Sequence, residues 1–205
     1  MANVAGILLA AGAGRRMGRP KALLQSADGT PWLASAAQTL LDGGCSPVVV
    51  VLGAAAEEAR TLLAGENVQL VIAEDWNSGM GASLRAGLTA LDSRDSAASQ
   101  PSAALIHLVD LPDVDAPVVS RLAKHASPDV LARADYGRGP AHPVLIGREH
   151  WAGVLASAVG DRGARDYLRE RDVLAVDCSD LASGLDVDTP DELAVTQAGN
   201  PSDDD

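Results

Sequence analysis

Glycine and positive charge are gathered in one short stretch of an acidic chain. Residues 9–24 read LAAGAGRRMGRPKALL, where Gly12, Gly14 and Gly18 alternate with Arg15, Arg16, Arg19 and Lys21. The 205-residue chain as a whole carries a formal net charge of −12. Glycines permit tight turns that aim successive backbone N–H groups at an anion, and the cations add the charge that backbone dipoles lack. Those residue types together suit a phosphate. Asp110 closes the apolar run AALIHLV, and Asp186 and Asp188 alternate with Val187 in GLDVDTPDEL. A carboxylate facing bound phosphates repels them unless a cation intervenes, and Mg2+ is held by one or two carboxylates plus substrate phosphates. Asp110 is thus a candidate metal ligand, and Asp186 and Asp188 share one face if 186–188 is extended. Each site has a plainer reading. A strand-end Asp110 can serve a turn, and Asp188 or Thr189 can cap a helix that opens at Pro190.

These residues need a frame to hold them. Apolar runs at 4–9, 47–52, 68–73, 104–109, 130–134, 142–146 and 173–176 read as strands. Helical patterns cover 32–42, 55–63, 81–91, 118–125, 149–157, 163–171 and the stretch from 190. PVVVVL at 47–52 is apolar throughout, as expected of a strand buried on both faces. A polar stretch, 92–103, reads as a loop. Strand–helix alternation with apolar strands predicts a layered α/β domain with a mainly parallel sheet. Ligands of such sheets sit beyond the carboxyl ends of the strands. Loop 10–21 follows the first strand and Asp110 follows the fourth, so both pass that filter.

Composition bounds the function. Hydrophobic residues make up 47% of the chain and charged residues 21%, as in globular proteins. The acidic balance argues against nucleic acid or an anionic membrane as the main partner. With three Trp, two Tyr and no Phe, the chain lacks a platform for stacking successive bases. Cys45 and Cys178 show no disulfide framework or metal-ligand spacing, and they read as inert packing residues in a reducing cytoplasm. VAGILLAAGAG is read as strand and turn, because no basic residue precedes it as in a signal peptide.

The glycine loop matches neither of two familiar phosphate loops. A dinucleotide fingerprint needs G-x-G-x-x-G and a later acid, whereas the spacing here is G-x-G-x-x-x-G and the second strand ends without one. Walker A needs Gly-Lys-Ser/Thr, whereas Gly18 precedes Arg19, Pro20 and Lys21. The loop instead resembles the signature L-A-A-G-x-G-x-R-M-G-x-P-K-x-L-L of MobA-like nucleotidyltransferases, filled by Leu9, Ala10, Ala11, Gly12, Gly14, Arg16, Met17, Gly18, Pro20, Lys21, Leu23 and Leu24. GMGASLRAGL at 79–88, VDLPDV at 109–114, HPVLI at 142–146, GDRGAR at 160–165 and DVDTPDEL at 186–193 follow in the family's order. Within the family, Ala11 and Pro20 resemble the molybdenum cofactor cytidylyltransferases, where guanylyltransferases carry LAGG and DK. GMGASL departs from the usual GMSSSL at Gly81 and Ala82.

The resemblance implies a three-layer α/β/α Rossmann-like nucleotidyltransferase of glycosyltransferase-A-like build. Residues 1–198 would form one domain and 199–205 a disordered acidic tail. It implies transfer of CMP from CTP to molybdopterin with Mg2+ as cofactor, and a client molybdoenzyme as a possible partner. Arg16, Lys21 and Asp110 would be catalytic. Leu9, Ala10, Ala11, Gly12, Gly14, Arg15, Gly18, Lys21, Asn77, Gly79 and Ser83 would hold the nucleotide. Asp110 and Asp188 would bind metal, with Asp186 in reserve. Asp161 would lie near the pterin, or cap a helix; His142 would bind the acceptor, or simply start a strand. Arg85 reads as a surface charge and His107 as structural. The acceptor can also be a sugar phosphate or methylerythritol phosphate, and the nucleotide GTP. A pterin-delivering chaperone and a dehydrogenase with an unusual glycine loop are the readings from other classes.

Overall fold

The computed structural model describes residues 3–93 and 100–198, so the proposed acidic tail and part of the 92–103 loop lie outside the described residues. Among these residues, seven strands form one sheet: β1 (Val4–Ala10), β2 (Val48–Leu52), β3 (Gln69–Ile72), β4 (Ala103–Leu108), β5 (Leu131–Asp135), β6 (Pro140–Gly147) and β7 (Leu174–Asp177). Their order is β3-β2-β1-β4-β6-β5-β7. β1 pairs in parallel with β2 and β4, whereas β6 runs antiparallel to both β4 and β5. The sheet is therefore mixed but mainly parallel.

Among the described residues, seven α-helices accompany it: α1 (Trp32–Asp42), α2 (Ala56–Thr61), α3 (Met80–Asp92), α4 (Ala116–Ala123), α5 (Trp151–Ser157), α6 (Arg165–Arg169) and α7 (Pro190–Ala198). Alternation along the strands splits the core into two layers. Leu8, Val50 and Leu105 face α1, α2 and α4, joined by Leu33, Leu40, Ala59 and Leu122. Ile7, Val51 and Ile106 face α3, α5 and α6, joined by Leu88, Trp151, Val154 and Leu168. The result is a three-layer α/β/α arrangement. All five residues of β2 are buried, as its unbroken apolar run requires. β3 is the opposite case, an edge strand with Leu70 and Ile72 exposed.

Element ends follow local chemistry. α6 is shorter than the 163–171 pattern suggests, because 160–162 forms a tight turn and Gly163 then takes a positive φ. Cys45 and Cys178 are free and buried, and burial pushes the Cys45 thiol up to about 12. No helix among the described residues is long and apolar enough to cross a membrane.

The order β3-β2-β1-β4 places β1 at a reversal. The chain builds outward from β1 to β3, then returns to β4 on the other flank of β1. Connections leaving β1 and β4 there diverge and open a crevice beyond their carboxyl ends.

Candidate active site

A cleft of about 430 Å³ occupies that crevice, a size typical of ligand pockets. Leu9 to Met17, Lys21 and Ala22 form one wall. Trp76 to Met80 with Ser83 form another, and Leu108 to Asp110, Asp161 and Asp188 complete it.

The glycine loop owes its path to one contact above all. Gly14 has φ +60, and a Cβ there would lie 1.8 Å from the Arg19 carbonyl oxygen. No other residue fits that fold-back. The loop ends in a short 3-10 turn, Lys21–Leu23, with Ala22 and Leu24 buried, which anchors the Lys21 backbone at the cleft floor.

Asp110 and Asp188 are 78 positions apart but meet through two ties, one between backbones and one to the Asp113 carboxylate. The Val187 N–H donates to the Asp110 carbonyl at 3.0 Å, and Val187 itself is buried in the core. Asp113 accepts from the Ser183 N–H at 2.7 Å, the Ser183 hydroxyl at 2.5 Å and the Gly184 N–H at 3.2 Å. The 183–188 segment is thus strapped to the end of β4. Capping is done by other residues. Glu192 accepts from the Asp188 and Thr189 N–H groups at 2.7 and 2.9 Å, and Thr189 Oγ1 accepts from the Glu192 N–H at 3.3 Å. This reciprocal capping box opens α7 and leaves the Asp188 carboxylate free for the cleft.

One ammonium joins the two carboxylates. Lys21 Nζ donates to Asp110 Oδ2 at 2.7 Å and to Asp188 Oδ1 at 2.5 Å, while Arg16 Nη1 lies 2.7 Å from Asp188 Oδ2. The Lys21 side chain is 14% exposed, and that of Arg16 72%. Burial works against the Lys21 charge, but the two carboxylates outweigh it and hold the ammonium above its ordinary pKa. Burial likewise opposes the Asp188 charge, and Lys21 overcomes it to hold that carboxyl below the usual range. Asp186, beside Asp188 but outside the cleft lining, is held above the usual range by burial and the Asp188 charge.

The residues fit a divalent cation as a partial ligand set. Asp110 Oδ1 is buried without a hydrogen-bond partner, and Asp110 and Asp188 already converge on one positive centre. Among the described residues no group of three or more His, Cys, Asp or Glu side chains is arranged to hold a metal. Two carboxylates therefore need oxygens from a ligand to complete a shell, as Mg2+ commonly takes from phosphates.

The structure brings together most of the residues singled out from the sequence. Leu9, Ala10, Ala11, Gly12, Gly14, Arg15, Arg16, Lys21, Asn77, Gly79, Ser83, Asp110, Asp161 and Asp188 all line the cleft; Gly18, Asp186 and His142 do not. Asp161 stands against Gly79, where φ is +114 and a Cβ would approach Asp161 Oδ1 to 2.5 Å, so it belongs to the wall formed by the start of α3. His142 lies on β6 itself, its pKa pushed down to about 4 by burial against the pull of Asp110. His107, fully buried with neither ring nitrogen hydrogen-bonded, is pushed down to about 3 by burial.

Sequence reasoning missed two contributors. Trp76 lines the cleft and packs where a Cβ on Gly53 would come within 2.7 Å of its ring. It follows β3 closely, so the strand-end filter that picked Asp110 also points to it. Arg85, read as a surface charge, pairs with Asp75 at 2.9 Å and donates to the Ala158 carbonyl, tying the 158–161 wall to α3.

Comparison with known proteins agrees with this architecture. The MobA-like NTP transferase domain family matches residues 6–175. The nicotine blue oxidoreductase of Paenarthrobacter nicotinovorans is 40% identical over 202 residues, covering 93% of this chain and 94% of the relative. Rv0371c from Mycobacterium tuberculosis H37Rv superposes with a TM-score of 0.80 at 27% identity, covering 96% of this chain and 98% of that one. Its manganese complex gives a TM-score of 0.77 at 26% identity, covering 97% and 100%. A nucleotidyl transferase from Methanothermobacter, at 21% identity and a TM-score of 0.81 over 96% and 97% of the chains, shares the fold. With a family match across most of its length and a glycine loop, strand-end aspartate and 186–188 strap converging on one cleft, this chain belongs to the MobA-like NTP transferase family.

Proposed function

We propose that residues 1–198 act as one nucleotidyltransferase domain that moves CMP from CTP to the terminal phosphate of molybdopterin and releases pyrophosphate. The observation that carries this reading is the Lys21 ammonium between Asp110 and Asp188 inside the glycine-loop cleft. It supports a site in which cations suited to phosphates and carboxylates suited to a divalent ion face the same ligand. Ala11 and Pro20 support CTP through their likeness to the cytidylyltransferases.

An oxygen of the acceptor phosphate attacks the α-phosphorus of CTP, and the bond from that phosphorus to the β-phosphate oxygen breaks. The attacking phosphate is already ionised, so no side chain needs to act as nucleophile. The work is positioning and charge stabilisation. Arg16 and Lys21 neutralise the β- and γ-phosphates as they depart. Loop N–H groups from Gly12 to Gly14 hold the triphosphate tail, Asn77, Gly79 and Ser83 border the nucleoside end, and Asp161 beside Gly79 is assigned to the acceptor. When bound, Mg2+ at Asp110 and Asp188 supplies further positive charge to the phosphates.

A second reading has its own support, because the 40%-identical relative is named an oxidoreductase. Under it, the loop holds the pyrophosphate of a reduced nicotinamide dinucleotide, and a hydride passes from its nicotinamide ring to nicotine blue. Two assays on one preparation separate them. Pyrophosphate release from CTP with Mg2+ and molybdopterin is the expected result. Oxidation of a reduced nicotinamide cofactor by nicotine blue, without pyrophosphate release, overturns the transferase reading.

A further inference from the structure

Both oxygens of Asp188 are taken, Oδ1 by Lys21 and Oδ2 by Arg16. Asp110 gives Oδ2 to the same Lys21 nitrogen and leaves Oδ1 buried and unpartnered. The cations that a triphosphate needs and the carboxylates that a divalent ion needs are thus engaged with each other. Neither ligand alone finds the site ready. A divalent ion arriving first meets an ammonium already seated between its carboxylates. A triphosphate arriving first draws Lys21 away and leaves the two carboxylates facing each other and its own charge.

We propose that Lys21 is a stand-in cation, which holds Asp110 and Asp188 in the free protein and passes to the phosphates when a divalent ion takes its place. This rests on the cleft being a metal and nucleoside triphosphate site, and it adds that the two ligands bind as a coupled pair. The parts suit the exchange. The Lys21 backbone is fixed by the buried neighbours Ala22 and Leu24, so only its flexible four-carbon stem has to move. Arg16 is mostly exposed and exchanges partners without leaving a buried charge behind. Because the coupling is an equilibrium property, it is reciprocal, and each ligand tightens the other by the same factor.

The test is titration of the full chain with Mn2+, followed by the electron paramagnetic resonance signal of the free aqueous ion, with and without CTP. Wild type is expected to bind Mn2+ weakly alone and about 5–150-fold more tightly with CTP, the usual range for coupled sites. Lys21→Ala is expected to bind Mn2+ without nucleotide more tightly than wild type, with a smaller added effect of CTP. Lys21→Arg, which keeps the charge, is expected to show no such gain. Arg16→Ala, at an exposed side chain, frees one Asp188 oxygen and also tightens Mn2+ binding, which keeps the test open should Lys21→Ala fail to fold. If Mn2+ and CTP bind together to wild type but neither variant gains Mn2+ affinity, the exchange is wrong while the site reading stands. If wild type binds Mn2+ equally well with and without CTP, the exchange is likewise overturned. Failure to bind either ligand overturns both.

Discussion

On the proposed reading, Lys21 is the residue on which the chemistry turns. Its ammonium sits within 2.7 Å of two carboxylates in a cleft where it is 14% exposed, so its charge is screened far less than that of Arg16 at 72%. Lys21→Ala is expected to lower kcat for pyrophosphate release about 10²–10³-fold, the usual loss of one preorganised charge-stabilising donor. Steady-state turnover checks this, and an unchanged kcat removes Lys21 from the mechanism. Lys21 and Asp110 were legible in the sequence because each follows a strand at the end where a parallel sheet presents ligands, whereas Asp188 was picked out by the resemblance of DVDTPDEL to the family. The division of labour after Val187 was not legible, since Asp188, Thr189 and Glu192 all suit a helix start. The folded chain assigns capping to Thr189 and Glu192, whose carboxyl is held below its usual range by the Asp188 and Thr189 N–H groups.

Among elements, the wall formed by the start of α3 and the 158–161 segment is held from outside the cleft. Arg85 reaches from α3 to Asp75 and to the Ala158 carbonyl, and a Cβ on Gly81 would crowd the backbone of Ala158 and Val159. Arg85→Ala is therefore expected to raise KM for the nucleotide several-fold while changing kcat little, because the wall loosens but the phosphate end keeps its groups. Initial-rate measurements at varied CTP decide it, and a fall in kcat at constant KM contradicts it. This clamp was not readable in advance, because its carbonyl partner lies 73 positions along the chain. Asp113 was hidden for the same reason, its partner Ser183 being 70 positions away. The strands themselves were legible from their apolar runs. The reversed direction of β6 was not, since a strand's composition does not record which way it runs.

At the scale of the molecule, an acidic chain places its glycine loop and strand-end aspartate at the reversal of its sheet, beside β1. That architecture buries one group at a cost. His107 is fully enclosed on β4 with neither nitrogen hydrogen-bonded, and burial pushes it to about 3; His142 nearby is pushed to about 4. Both stay neutral in the fold where an unfolded histidine gains a proton, near 6.5. The unfolded chain then binds more protons, so stability is full above pH 6.5 and falls as pH drops from there toward 4 and 3. His107→Leu removes one such group and two unpaired polar atoms, each costing about 1–3 kcal/mol when buried. Thermal melts are expected to show a Tm several degrees higher and a shallower acid decline than wild type; a lower Tm with an unchanged pH slope contradicts this. The central claim, that this cleft takes a nucleoside triphosphate together with a divalent cation, meets its most direct test in isothermal titration with CTP, GTP, ATP and UTP, each with and without Mg2+. Heat of binding with CTP and Mg2+ together, strongest among the four and lost in Asp110→Asn, is the predicted result; equal binding of CTP without Mg2+, or none at all, contradicts it.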